Sequence, residues 1–277
     1  MENRSEILEN ALFPALAKIG HTSEGDILVW SQGLAFHYAN LLSSLADKAT
    51  AAEKTPVLTD VWAFFATVDQ PRIKTTLGLD KDQDLARIEK LMADILSDGA
   101  HPAIRAMGDT VEEAILNWVR AFAIADWAIY TYLEKHLGSK RCLDIYMGLW
   151  ETFALAELDH VKEAFGVKGP EDIDMDMLGK ISQVYWESIA CPYKVTQHSA
   201  TVHEAELEVC PYFENMKEVL GEGTARSMTL KCEAAVSVNY YDAILKALGV
   251  FDAYSFTMDK FSCCGDDCCR VRFEKRA

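Results

Sequence analysis

Hydrophobic positions recur at helical spacing over most of the first 190 residues, between polar breaks such as GHTSEGD, SDGAHPAIRAMGDT and HLGSK. The clearest helix is VEEAILNWVRAFAIADWAIYTYLEKHL, which follows Thr110 and ends at Gly138. A Thr before the first apolar turn and a Gly after the last one are typical helix ends. The pattern predicts a helical N-terminal portion with about seven helices.

The pattern changes after Cys191. The segments YKVTQHSATVHEAELEV, AYSFTMDKF and CCRVRFEKR are rich in β-branched and aromatic residues and contain apolar–polar alternation, which is typical of strands. Two helix-like stretches lie between them, one after Pro211 and one before Gly249. The expected fold class is α+β, with a helical N-terminal portion followed by a smaller α+β portion that contains an antiparallel sheet.

Composition narrows the classes of partner. Asp and Glu outnumber Lys and Arg by 43 to 27, and the resulting net charge of −16 repels phosphate backbones and anionic lipids. We therefore expect no nucleic acid and no membrane among the partners, and expect a small-molecule substrate or ligand, with a homodimer as a candidate assembly. The N-terminal residues show neither a signal peptide nor a spanning helix, so a cytoplasmic location is expected.

Four of the eight cysteines stand in the tail FSCCGDDCCRVRFEKRA. In a reducing cytoplasm such thiols are free, metal-binding or catalytic more often than disulfide-bonded. If the segment 265–267 is a hairpin loop, Cys264 lies opposite Cys268 and Cys263 lies opposite Cys269. Alternation along the strands then predicts that Cys263 and Cys269 point inward, whereas Cys264 and Cys268 point outward.

Two further thiols are candidate reactive groups. Cys210 ends a predicted strand before Pro211, and Cys232 is predicted to open the next helix. Because a helix N-terminus stabilises a thiolate, Cys232 is the candidate for a lowered pKa. Zinc binding is the competing use of these thiols, although the chain lacks a paired C-x-x-C pattern. The candidate metal ligands are Cys210, Cys232, Cys263, Cys269 and His203.

Charged residues also fall on the apolar stripes of two predicted helices. Glu157 lies on one stripe, with His160 at its edge, and Asp126 lies on the stripe of the preceding helix. A buried carboxylate is costly unless it is paired, so these groups either satisfy each other or hold a ligand. The Glu157-x-x-His160 spacing also matches one half of a di-iron site, but the sequence has no second Glu-x-x-His. Zinc and iron both stay open as cofactors.

The segments LWETFALAELDHVKEAFGV, LEVCPYFENMKEVLG, KCEAA and YSFTMDKFSCCGDDCCRVRFEK resemble the L-2-amino-thiazoline-4-carboxylate hydrolase family and its uncharacterised relatives. The resemblance covers the chain from about residue 139. The shared features are a cysteine at a strand end, a second in the following segment and a closing Gly-Asp-x-x-Cys, matched here by Cys210, Cys232, Gly265, Asp266 and Cys269. The family's acidic residue three positions after the second cysteine is Ala235 here, and Glu233 stands beside the cysteine instead.

The resemblance implies a division into a helical portion, 1–137, and an α+β domain, 138–277. It implies a hydrolase that acts on a C–N bond of a small cyclic amidine or related heterocycle. A thiol would be the nucleophile, a histidine would pass a proton and a carboxylate would hold the cationic amidinium. The residues assigned to catalysis are Cys210, Cys232, Glu157 and His160, and those assigned to substrate binding are Asp126, Glu157 and Cys269. The alternative is a thiol-rich metal- or small-ligand-binding protein without hydrolase activity.

Overall fold

The computed structural model describes residues 24–79, 84–156, 158–188 and 191–276. Within them the fold is α+β, as predicted, with a helical N-terminal portion and a four-stranded antiparallel sheet in the C-terminal part. The described helices are α1 Glu24–Lys48, α2 Ala51–Thr67, α3 Pro71–Leu77, α4 Leu85–Ser97, α5 Pro102–Ala106, α6 Val111–Leu137, α7 Ser139–Leu155, α8 Leu158–Phe165, α9 Met175–Ser188, α10 Pro211–Leu220 and α11 Glu222–Ala247. The described strands are β1 Tyr193–His198, β2 Val202–Leu207, β3 Tyr254–Lys260 and β4 Cys269–Lys275.

Helix α6 begins and ends where the sequence predicts. The hydroxyl of Thr110 accepts a hydrogen bond from the N–H of Glu113 at 3.2 Å and so satisfies one of the unpaired amides of the first turn. At the other end Gly138 has a φ of 78°, a left-handed value that favours glycine. The predicted ends of this helix are confirmed.

The helix count differs from the prediction. Nine α-helices lie between residues 24 and 188 in the described ranges, against the seven or so expected. Pro71 and Pro102 each occupy the first turn of a helix, α3 and α5, which have only 7 and 5 residues. Proline is well suited to that position because its missing N–H is not needed there. Helices this short leave no periodic pattern from which they can be predicted.

The described residues form two compact units. We call the described residues up to Leu149, together with Tyr212–Met228, the helical unit, and Trp150–Pro211 together with the chain from Thr229 the mixed unit. The prediction divides the chain once, between residues 137 and 138. In the structure, each of the two units contains segments that are separate in the sequence.

The helical unit is built around α6. Helices α1 and α2 both pack along it, and α4 packs on α1. Fifteen residues of α6 are buried, because apolar residues occur on nearly all sides of the helix. Trp118 is fully buried and its indole N–H donates to the carbonyl of Ile104 at 3.0 Å. None of the helices in the described residues is long and apolar enough to cross a membrane.

The mixed unit contains the sheet, in the strand order β1-β2-β4-β3. One face carries buried Ala205, Val271, Phe256 and Phe273, which belong to the core of this unit. Tyr241 of α11 stacks on Phe256 with 4.1 Å between ring centroids. Because strand side chains alternate between faces, this packing fixes the register of the sheet. The register places the first residue of β4, at position 269, opposite Leu207 at the end of β2.

Candidate functional site

Five of the eight free thiols form a cluster in the mixed unit. Cys191 lies after α9, Cys210 lies after β2, Cys263 and Cys264 lie in a 3-10 turn before β4, and Cys269 begins β4. Cys263 interacts electrostatically with Cys210, Cys264 and Cys269, and Cys191 interacts with Cys269. These five residues are called the thiol cluster below.

A tight turn positions Cys263. The N–H of Cys264 donates to the carbonyl of Phe261 at 2.9 Å, and the carboxylate of Asp266 accepts the N–H of Phe261 at 2.7 Å. Gly265 ends the turn with a φ of 118°, which a residue with a side chain adopts only under strain. The glycine and the two hydrogen bonds therefore hold Cys263 in its buried position.

Helix α11 presents a polar face to this turn. The hydroxyl of Thr229 donates to the carbonyl of Cys263 at 2.9 Å, and the thiol of Cys264 donates to the carbonyl of Thr229 at 3.6 Å. One helical turn further, the carboxylate of Glu233 accepts a hydrogen bond from the hydroxyl of Ser237. Residues four apart lie on the same side of a helix. Because Thr229 contacts Cys263 and Cys264, Glu233 also lies on the side of α11 that faces these thiols.

Burial raises the pKa of four thiols of the cluster, Cys191, Cys263, Cys264 and Cys269, and so favours their protonated form. It raises the pKa of Cys263 far above its ordinary range, and the negative charge of Glu233 adds to the rise. Burial also raises the pKa of Cys269, but its hydrogen bonds with the hydroxyl and the N–H of Ser262, at 3.2 and 3.3 Å from the sulfur, oppose the rise. Burial raises the pKa of Cys191 to about 12.

The charge of Glu233 affects the protonation of the thiols near it. The charge of Glu233 opposes formation of a thiolate on each of its three thiol neighbours, Cys263, Cys264 and Cys269. A cation placed beside Glu233 would reverse that effect, because an opposite charge at short range favours the charged form of an acid. The cluster therefore suits a cationic ligand and gains a more reactive thiol when that ligand is present.

The predicted hairpin of the tail is wrong. Strand β3 ends at Lys260, which pairs with Arg270, and the connection between the strands is longer than three residues. Cys263 and Cys264 therefore lie in the turn, and Cys268 lies just before β4, so the proposed cross-strand thiol pairs do not form. A bulge between Met258 and Lys260 shifts the register near the end of β3. Bulges of this kind leave little trace in the sequence.

The predicted inward and outward sides are right for Cys263 and wrong for Cys268. Cys263 is 5% exposed and Cys268 is 6% exposed, whereas Cys264 and Cys269 are half-buried. The charges that act on Cys268 come from Asp267 and from neighbours outside the thiol cluster. Cys268 is therefore a buried thiol next to the cluster that is not part of it.

Cys232 does not open a helix. Helix α11 begins at Glu222, after Gly221 with its φ of 81°, so Cys232 lies in the helix interior and is 2% exposed. Ala225 and Thr229 are also buried and, with Cys232, form one face at helical spacing. The helix therefore begins ten residues before Cys232, the position at which the sequence predicted its start. The argument for a lowered pKa at Cys232 is therefore wrong.

The thiol that does precede a helix is Cys210. It is half-buried, it comes directly before Pro211, the first residue of α10, and its charge acts on Cys263. It lies three residues after Leu207, the last residue of β2, whereas the sequence predicted it at the strand end itself. Of the two cysteines assigned to catalysis, Cys210 belongs to the thiol cluster, and Cys232 precedes Glu233 on α11.

Asp126 is the centre of a network inside the helical unit. Its carboxylate is fully buried and accepts hydrogen bonds from His37 Nε2 at 2.9 Å and from the hydroxyls of Tyr146 and Tyr212. All three donors belong to the same unit. Protein groups thus satisfy the carboxylate that the sequence presented as either paired or ligand-binding.

Two of the sequence-predicted residues cannot be placed in a site. Glu157 lies outside the described residues. His160 belongs to α8, but its side chain is also outside the described part of the structure. Their assignment to catalysis and substrate binding stays a prediction.

His203 lies away from the thiol cluster along the sheet. It is on β2 opposite Phe273, four residues before Leu207, which pairs with Cys269. Four strand residues span about 13 Å, so His203 and Cys269 are too far apart to share a metal ion. Throughout the described ranges, no three side chains of His, Cys, Asp or Glu are arranged to hold a metal.

Comparison with family models, with curated proteins and with solved structures finds no match to the chain. The geometry of the described residues therefore carries the functional argument, and the resemblance of the C-terminal segments to a hydrolase family stays a hypothesis.

The residue that the sequence argument missed is Glu233. In the sequence it stands out only as a departure from the family pattern, one position after Cys232. The signal that identifies it is helical spacing: Thr229, Cys232 and Glu233 share one side of α11 once the helix is extended back to Glu222.

Proposed function

We propose that the protein is a hydrolase that acts on a C–N bond of a small cyclic amidine or related heterocycle. In this proposal Glu233 binds the amidinium cation and Cys269 is the nucleophile. The observation that carries the proposal is the position of the Glu233 carboxylate, whose charge acts on three thiols of the cluster. The resemblance of the segments around Cys210, Cys232 and Cys269 to the aminothiazoline carboxylate hydrolases supports the same class of chemistry.

The electrostatics of the cluster favour a cationic substrate. An amidinium is planar and carries two N–H donors that match the two oxygens of a carboxylate. When it binds Glu233, it cancels the negative potential that keeps the neighbouring thiols protonated. The substrate itself then promotes the thiolate that attacks it, which restricts the reactive form to the occupied site.

Cys269 is the best placed of the thiols for attack. It is half-buried, whereas Cys263 is 5% exposed. Its sulfur accepts the N–H of Ser262 and lies 3.2 Å from the Ser262 hydroxyl, so both groups can donate to a thiolate. Cys264, the remaining neighbour of Glu233, directs its thiol at the carbonyl of Thr229. A carbonyl cannot donate a hydrogen bond to a thiolate.

The reaction proceeds in two stages. The thiolate of Cys269 forms a bond with the amidine carbon, the bond from that carbon to the leaving nitrogen breaks, and the nitrogen takes the proton that the thiol released. Water then attacks the same carbon, the carbon–sulfur bond breaks, and the thiol is restored with a proton from that water. The net change is the addition of one water across the C–N bond.

The test uses 2-amino-thiazoline-4-carboxylate as the probe. We expect binding by calorimetry, a product that has gained one water, and a covalent adduct on Cys269 in rapidly quenched samples. Glu233→Gln should weaken binding at least about tenfold, because a bidentate ion pair is lost. Glu222→Gln is the matched control, since Glu222 lies on the same helix and pairs with Arg226 at the surface. Equal binding by the two variants would exclude the assigned role of Glu233.

A second candidate is ligand binding without turnover. The raised pKa of Cys191, Cys263, Cys264 and Cys269 favours it, because neutral thiols are poor nucleophiles. Binding that depends on Glu233 but gives neither product nor adduct would select this candidate over the hydrolase.

A further inference from the structure

A cleft of the helical unit lies between α3, α4 and α5 and has a volume of about 600 Å³. Each of the three helices, or the residue just before it, contributes polar groups to its walls. The lining side chains include Arg72, Thr75, Arg87, Lys90, Asp94 and His101. This cleft is called the basic cleft below.

The basic cleft concentrates positive charge in an acidic protein. Arg72, Arg87 and Lys90 line it, and Asp94 is the one carboxylate among the described lining residues. In the whole chain, by contrast, acidic residues outnumber basic ones by 43 to 27. A second cleft of the same unit, beside α10 and α11, is lined by three glutamates and a single lysine. The charge of the basic cleft is therefore a local feature that favours an anionic ligand.

Arg72 has a hydrogen-bond donor that the described residues do not satisfy. Its Nη2 bonds the carboxylate of Asp109, whereas its Nε is buried and has no hydrogen-bond partner in the described part of the chain. A buried N–H without an acceptor is destabilising, and more so when it belongs to a charged group. Because Arg72 lines the cleft, the oxygen of an anion bound there can supply the acceptor.

Arg87 is held in one orientation at the wall of the cleft. Its Nη1 and Nη2 donate to the carbonyls of Leu77 and Gly78, both at 2.9 Å. An added methyl group at Gly78 would overlap Nη1, so the absence of a side chain makes room for the guanidinium. A cation that is already oriented loses little conformational freedom when a ligand binds to it.

Two further donors face the same cleft. His101 Nδ1 accepts the N–H of Ala103 at 3.3 Å, and a neutral imidazole that accepts at Nδ1 carries its proton on Nε2. His101 therefore offers an N–H donor at Nε2. Lys90 donates to Asp94 at 2.6 Å, and an ammonium group has three N–H bonds to distribute. Thr75 adds an exposed hydroxyl.

We propose that the basic cleft is a binding site for a small dianion of the phosphate class, held by the guanidinium groups of Arg72 and Arg87 and the ammonium group of Lys90. His101 Nε2 supplies a further donor. Donors from three helices match a tetrahedral group with several equivalent oxygens better than a carboxylate, which has two. The net charge of −16 repels polyanions, so the ligand is a small molecule. The site does not depend on the proposed hydrolase, whose residues belong to the mixed unit.

Calorimetry with inorganic phosphate as the probe tests the site. Titrations at constant ionic strength in chloride should give saturable binding with one phosphate per chain. Binding should weaken as the salt concentration rises, because salt screens the attraction between the cleft and the anion. Heats that do not saturate would overturn the proposal.

Variants locate the bound anion. Arg72→Gln should weaken phosphate binding at least about tenfold, because a charge-assisted hydrogen bond is lost. Arg226→Gln is the matched control: it removes the same charge from the same unit, but Arg226 pairs with Glu222 on α11 and does not line the basic cleft. The control should bind phosphate as the parent protein does.

A third variant keeps the test decisive if Arg72→Gln does not fold. The side chain of Lys90 is 74% exposed, so Lys90→Gln should fold normally and still weaken phosphate binding at least about threefold. Binding by the folded cleft variants that equals binding by Arg226→Gln would overturn the proposal.

Discussion

The Asp126 network and the thiol cluster are both buried polar groups, yet they differ in how their charge is satisfied. In the helical unit, one carboxylate accepts hydrogen bonds from an imidazole and two phenols, all strong donors. In the mixed unit, Glu233 is half-buried, accepts a hydrogen bond from the hydroxyl of Ser237 and carries a charge that acts on three thiols whose pKa values are raised. The comparison teaches that a carboxylate held by three strong donors is part of the fold, whereas a half-buried carboxylate whose charge acts on thiols influences their reactivity.

The largest effect is expected from Asp126→Ala. The variant leaves two hydroxyls and an imidazole without their acceptor, and breaking a buried charged network of this kind costs about 3 to 5 kcal/mol of unfolding free energy. Urea unfolding measures the loss. Asp94→Ala is the control, because Asp94 pairs with Lys90 at the surface of α4 and should change the stability by less than about 0.5 kcal/mol. Equal stabilities of the two variants would mean that the hydrogen bonds to Asp126 do not stabilise the helical unit.

A smaller effect is expected from Cys263→Ser. The site is buried and shaped for a weakly polar sulfur, so a hydroxyl without an acceptor should cost about 1 to 3 kcal/mol. Cys264→Ser is the neighbouring control: that residue is half-buried, and a serine can keep the bond to the Thr229 carbonyl. Urea unfolding should therefore rank Cys263→Ser below Cys264→Ser in stability. The opposite order would mean that the turn does not hold Cys263 in the core.

Much of the fold could be predicted because its signals are local. Thr110 and Gly138 mark the ends of α6, and the apolar–polar pattern after Cys191 marks the three segments that contain the four strands. The start of α11 could not be predicted, because its first turns have polar residues that favour loops in isolation. The burial of Ala225 and Thr229 stabilises these first turns of α11. Burial depends on tertiary packing, which the local sequence does not reveal.

The candidate site was predicted only in part for the same reason. Cys263 and Cys269 were assigned by strand parity, which fails in a turn, although Cys263 is buried. Glu233 became visible only when the whole of α11 was in place, since its neighbours Cys264 and Cys269 lie more than thirty residues away in sequence. Asp126 was predicted to be buried and is, but the sequence could not show which donors satisfy it.

The smallest effect is expected on thiol chemistry in Glu233→Gln. Removing the carboxylate charge lowers the pKa of Cys263, Cys264 and Cys269, because a negative neighbour no longer opposes the thiolate. We expect iodoacetamide to modify the peptide that contains them about threefold faster at about pH 8, near the ordinary thiol pKa, since alkylation follows the thiolate fraction. Cys142, which lies in the helical unit and donates to the carbonyl of Tyr130, should react at an unchanged rate in the same digest. Glu222→Gln should leave both rates as they are in the parent protein. A rate that is unchanged or slower in Glu233→Gln would mean that the charge of Glu233 does not reach the thiols, and the contrast with Asp126 would then rest on hydrogen bonding alone.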